Sequence, residues 1–191
     1  VKFTIVSCSL SEESRSRTIA RRAEQMLADA GNAVSFVDLR QEPLPQFDNG
    51  SSFKNPIFSK IHSLIDECDG VVLASPIYNW GLSSAVKNLI ELTGATGEDG
   101  RQAAWFDKVV TFLCSGGLPH SYMAYGPLAL SLMLDFKCVI NPYTVYATDR
   151  DFTEMGHMGD RILSRLGKTM TVHIELCGSL QQRTYRSTWE V

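Results

Sequence analysis

Five short apolar runs rich in β-branched residues alternate with five segments whose apolar residues recur at helical spacing, and this alternation constrains the fold more than any other feature. The runs span residues 2–6, 33–38, 71–74, 108–114 and 138–146. Ile19, Ala23, Met26, Leu27 and Ala30 mark the first helix, and Ile57, Ile61, Leu64 and Ile65, behind Pro56, mark the second. Leu82, Ala85, Val86, Leu89 and Ile90 mark the third. The fourth, residues 127–136, is apolar nearly all round and is expected to be buried on every side. Leu163, Leu166, Met170, Ile174 and Cys177 mark the last. Such a pattern predicts an α/β fold, a three-layer sandwich in which a five-stranded parallel sheet carries helices on both faces. One domain is expected over residues 1–178, followed by a polar tail, 179–191, that carries Tyr185 and Trp189.

The formal net charge of -3 offers no electrostatic grip on nucleic acid or on an anionic membrane, so the expected partner is a small molecule. The five cysteines (Cys8, Cys68, Cys114, Cys138, Cys177) are scattered and lack metal-ligand spacing with the four histidines. They read as small buried hydrophobes in a reducing compartment, and no metal site is expected. No apolar stretch approaches the roughly 18 residues that span a bilayer, and the amino terminus enters a strand without a signal-peptide layout. A soluble, cytoplasmic protein is expected.

Three loops stand out. After the first strand, residues 7–16 offer Ser9, Ser11, Ser14 and Ser16 beside the positive end of the following helix, with Arg15 and Arg17 close by. This is a natural phosphate cradle, although one of the serines also serves as helix cap. After the third strand come Ser75-Pro76-Ile77-Tyr78-Asn79-Trp80, which either support a flat aromatic ligand or simply pack. After the fourth strand, Ser115-Gly116-Gly117 allows either a close backbone approach to a ligand or a tight turn. In the strand order 2-1-3-4-5 these loops share the carboxyl end of the sheet, beside the switch point between strands one and three. Residues 94–100 are a further connection that could border the site. His62 reads as packing or surface, and His157 sits alone in the polar loop 147–160.

On these residues the chain resembles the NADPH-dependent FMN reductase family, flavodoxin-like flavoenzymes that include quinone, azo-dye and chromate reductases. The similarity runs over most of the chain, from the first strand to at least Tyr146. The family pattern G-S-x-R-x-x-S-x-N is matched by residues 8–16, with Ser9 and Ser14 in place and with Cys8, Ser11 and Ser16 departing from Gly, Arg and Asn. The pattern [ST]-P-x-Y-N, followed by a helix with K-N, is matched by residues 75–79 and by Lys87-Asn88. Many members have Glu where this chain has Ile77, a change in the surface offered to substrate.

The resemblance implies FMN as cofactor. Its phosphate would meet Ser9, Ser11, Ser14, Arg15 and Ser16, with Arg15 or Arg17 standing in for the missing arginine. Its ring would meet Pro76, Ile77, Tyr78, Asn79 and Trp80, and the ring's pyrimidine edge Ser115, Gly116 and Gly117. It further implies NADPH or NADH as reductant, ping-pong transfer to a flavin, quinone, azo compound or metal ion, and a homodimer or homotetramer formed through the helices after strands three and four. No catalytic acid, base or nucleophile is expected, because the flavin carries the chemistry. An FMN-binding electron carrier of flavodoxin type and a flavin-free relative of the same fold remain as alternatives.

Overall fold

The computed structural model describes residues 1–97 and 100–188. Strand β1 (Lys2–Ser7) pairs in parallel with β2 (Ala33–Asp38) on one side and with β3 (Gly70–Tyr78) on the other. The two-residue β4 (Gly81–Leu82) folds back antiparallel on the end of β3. On its other edge β3 pairs with β5 (Val109–Ser115), which carries β6 (Val139–Ile140) and β7 (Val145–Ala147) along its far side. The order β2-β1-β3-β5 with a split fifth position is the flavodoxin-like order expected from the sequence, with seven strands in place of five.

Helices α1 (Arg15–Asp29) and α5 (Asp160–Leu180) cover one face, and α2 (Pro56–Asp66), α3 (Ser84–Gly94) and α4 (Gly126–Phe136) cover the other. The period of two along each strand divides the core between them: Val71 and Leu73 face α2 and α3, whereas Val72 and Ala74 face α1 and α5. Each large side chain so buried contributes about 1.5–3 kcal/mol. On α4 only Ala129, Leu132 and Phe136 are buried. Leu130, Met133 and Leu134 are exposed, so within one chain this helix is not buried on every side.

Two departures from the expected strands have local causes. β3 continues through Pro76 to Tyr78 because β1 ends at Ser7, opposite Ala74, so the missing Pro76 N–H costs no ladder bond. The fifth strand is cut at Asn141, whose side chain is drawn into the core. Its Nδ2 donates to Thr111 Oγ1 at 3.0 Å and to the Thr169 carbonyl at 3.1 Å, and its Oδ1 accepts from the Tyr143 N–H. Thr111 Oγ1 also lies 2.9 Å from Nδ1 of His173, a fully buried residue on α5 that burial holds neutral, with its pKa lowered to about 3.

Beyond α5 the chain returns to the amino end of β5. There the Ser187 N–H and hydroxyl donate to the Asp107 carboxylate at 2.9 and 2.6 Å, and Arg183 pairs with it at 3.4 Å. Trp189 and residues 98–99 of the 94–100 connection lie outside the described residues. All five cysteines are buried and unpaired. Among the described residues, no helix is long and apolar enough to cross a membrane.

Candidate functional site

At the carboxyl end of the sheet, a cleft of about 960 Å³ opens over the ends of β1, β3 and β5. Ser9, Ser11, Ser14 and Arg15 line it from the first loop, Pro76, Ile77 and Tyr78 from β3, and Ser115, Gly116 and Gly117 from β5. Ser16, Asn79 and Trp80 are not part of the lining.

The first loop is held open by its own bonds. Ser14 caps α1, its Oγ accepting from the Arg17 N–H at 3.2 Å, so the first-turn N–H groups ahead of Arg17 are left without a partner inside the helix. Ser16 is turned inward and buried, with its hydroxyl 3.1 Å from Ser14 Oγ, so it reaches the cleft only through Ser14. The Arg17 guanidinium donates to the carbonyls of Ser9, Ser11 and Glu12 at 2.7, 2.8 and 3.0 Å, and it pairs with Asp38. It shapes the loop and has little left to offer an anion. Arg15 is paired with Asp149 across the cleft, its guanidinium 5.5 Å from the Phe152 ring centre.

The β3 wall is the stretch of strand that overhangs β1. Ser83 braces it: its N–H donates to Ser75 Oγ at 3.1 Å and its hydroxyl donates to the Cys8 carbonyl at 3.0 Å, tying the first loop to the start of α3. Asn79 and Trp80 both have positive φ, 48° and 62°, and form the two-residue turn between β3 and β4, the type I′ geometry that suits a hairpin. Trp80 lies against His120, ring centres 5.4 Å apart, and lines a neighbouring apolar groove with Leu82, Pro127 and Leu128.

The β5 wall depends on glycine. A Cβ on Gly116 would overlap the Tyr146 hydroxyl and press on Ile77 Cβ, so the backbone can lie this close only without a side chain. The Gly116 N–H is taken by the Ala147 carbonyl at 3.0 Å, whereas Gly117 opens onto free space. Tyr146 secures the turn by donating its hydroxyl to the Leu118 carbonyl at 2.5 Å.

A fourth wall, absent from the sequence reading, comes from the loop after β7: Asp149, Phe152, Thr153, Glu154, Met155 and Gly156. The Thr148 N–H donates to the Asp151 carboxylate at 2.8 Å, and Arg161 pairs with the same group. Burial raises the Asp151 carboxyl, but these partners outweigh it and the net pKa is lowered. The one signal in the sequence was position: this loop, too, follows a strand at its carboxyl end.

The two thiols nearest the cleft are held protonated by burial. Cys8 lies below the first loop and burial pushes its thiol far up, while Cys114 is pushed up to about 12 by the same cause. No group of His, Cys, Asp or Glu suited to a metal ion occurs among the described residues.

Residues 1–145 match the sequence model of the NADPH-dependent FMN reductase family, and the chain belongs to that family. An FMN reductase (NADPH) of Pseudomonas putida is 28% identical over an alignment of 197 positions that covers 96% of this chain and 96% of that protein. An NAD(P)H-dependent FAD/FMN reductase of Geobacillus thermodenitrificans is 26% identical over 143 residues, 72% of this chain and 74% of that one. Among solved structures, the flavoenzyme NAD(P)H:(acceptor) oxidoreductase FerB of Paracoccus denitrificans superposes with a TM-score of 0.75 over 93% of this chain and 97% of its own, at 15% identity. At that identity the likeness speaks for the fold.

Proposed function

We propose that this member of the NADPH-dependent FMN reductase family holds FMN in the cleft and acts as an NAD(P)H-dependent oxidoreductase, passing electrons from a nicotinamide to a small acceptor (a flavin, quinone, azo compound or metal ion) in a ping-pong sequence. The observation that carries the reading is the meeting of an anion-binding end and a flat end in one cleft: the capped start of α1 with Ser9, Ser11 and Ser14 at one side, and Ile77, Tyr78 and the glycine turn at the other.

The residues fit such a cofactor. Helix N–H groups and serine hydroxyls are donors suited to a phosphate, and Gly116 and Gly117 let the chain lie flush with a planar ring. Of the glycine-turn amides, Gly117 is the donor left for the ring's pyrimidine edge, because Gly116 is committed to Ala147. Tyr78 is exposed at the cleft edge, where its ring can cover one side of the site and limit water. Bound FMN supplies the redox chemistry, accepting hydride from the nicotinamide and releasing electrons to the acceptor. Leu130, Met133 and Leu134, exposed on α4, suit a homodimer or homotetramer, and the buried free cysteines suit the cytoplasm.

The purified protein mixed with FMN and gel-filtered should keep a flavin spectrum, and NADH or NADPH should bleach it without added protein. No retention of FMN in excess overturns the reading. Bleaching that requires a partner reductase assigns the electron-carrier role instead.

A further inference from the structure

We propose that the cleft takes NADH in preference to NADPH, because the charges on its walls oppose the additional phosphate. This rests on the FMN-reductase reading of the same cleft. NADPH differs from NADH only by a 2′-phosphate, close to a dianion at neutral pH, so discrimination between them is a question of what charge that group meets.

Four carboxylates line the cleft, Glu12, Glu13, Asp149 and Glu154, against two guanidinium groups, Arg15 and Arg17. Each cation already faces a carboxylate. Arg17 is spent on three loop carbonyls and on Asp38, and Arg15 is paired with Asp149 at the edge nearest the serine loop. Glu12 has Arg40 as partner at 3.3 Å, whereas Glu13 and Glu154 have no ion-pair partner among the described residues. Lys87 lines the neighbouring groove, and it is held by Glu91 at 2.9 Å. The FMN phosphate adds negative charge of its own and draws on the same serines and helix end.

In the proposed arrangement a dinucleotide whose nicotinamide lies over the ring runs its adenosine half along these walls. The transfer is the same for both donors: two electrons leave the dihydronicotinamide as hydride, the oxidised flavin accepts them, water supplies the proton, and NAD⁺ or NADP⁺ departs. The difference lies in binding. Several like-charge pairs about 10 Å apart in a water-like medium amount to roughly a tenfold preference at low ionic strength, shrinking as salt screens them.

FMN uptake is measured first by flavin fluorescence quenching. The non-reactive tetrahydro analogues of NADH and NADPH are then titrated by calorimetry into the FMN-loaded protein at low and at physiological ionic strength. The expected result is about tenfold tighter binding of the NADH analogue at low salt, narrowing as salt is added. Glu154→Lys and Glu13→Lys should each tighten the NADPH analogue selectively. With FMN bound, equal or tighter binding of the NADPH analogue by the unaltered protein overturns the coenzyme proposal alone, as does a preference that neither salt nor charge reversal moves. Failure to take up FMN overturns the cofactor reading and this proposal with it.

Discussion

Arg17 and Asp38 form an ion pair beneath the β1–α1 loop, Nε to Oδ2 at 2.8 Å, with the Arg17 Nη atoms reaching up to three carbonyls of the loop. Asp38 is the last residue of β2, so the end of one strand sets the shape of the loop that follows its neighbour. Arg17→Ala leaves the nearly buried Asp38 carboxylate without its partner and should cost about 3 kcal/mol in chemical denaturation. FMN affinity should fall as well, although Arg17 offers little to the phosphate directly. Undiminished affinity in a destabilised variant would show that the loop holds its shape without the pair.

Asp149 competes with any phosphate for Arg15. Asp149→Asn frees the guanidinium, and because both groups are largely exposed the gain should be modest, about threefold tighter FMN in a fluorescence titration at low salt. Weaker binding in this variant would mean that Asp149 orients Arg15 rather than withholding it.

Gly116→Ala places a methyl group where the Tyr146 hydroxyl sits. The variant should lose about 1–3 kcal/mol of stability, as overpacked sites do. Adding Tyr146→Phe removes the overlapping oxygen and should recover part of the loss. Denaturant melts of the single and double variants provide the check, and a double variant no better than Gly116→Ala would place the strain elsewhere.

His173 sets an acid limit. Its pKa is about 3 in the fold, lowered by burial, against 6.5 for an ordinary histidine, so the unfolded chain takes up the proton first as pH falls. Stability should therefore be full above about pH 6.5 and decline through the acid range until about pH 3, with roughly 2 kcal/mol lost by pH 5. The lowered Asp151 carboxyl adds to the loss only below its ordinary value of 3.8. His173→Gln should flatten the slope between pH 5 and 7, and an unchanged slope would assign it to other groups.

Much of this arrangement is legible in the residues. The weak alternation of 33–38 marks β2 to the residue, and Pro56 marks the start of α2 by first-turn chemistry. Three of the four cleft walls follow from loops at strand ends. The rest depended on tertiary context. Pro76 signals the end of a strand unless the neighbouring strand has already stopped, as β1 has. Asn79-Trp80 is placed by a turn whose positive φ values only the hairpin requires. Ser16 is polar, yet its hydroxyl is spent on Ser14. The loop carrying Phe152 and Glu154 has no periodicity to advertise it, and the topology alone brings it to the cleft.

The pairing of β3 with β4 bears on how the molecule forms. It is the one ladder in the described sheet made by residues close in sequence, Ile77 with Leu82 and Tyr78 with Gly81, whereas Phe3 must find Gly70, and Gly70 must find Val109. Each distant pairing closes a long loop before it gains a contact, so the sheet should assemble slowly for its size. The hairpin beside the cleft is free to form before any of them, and the wall of the site can be in place before the sheet beneath it.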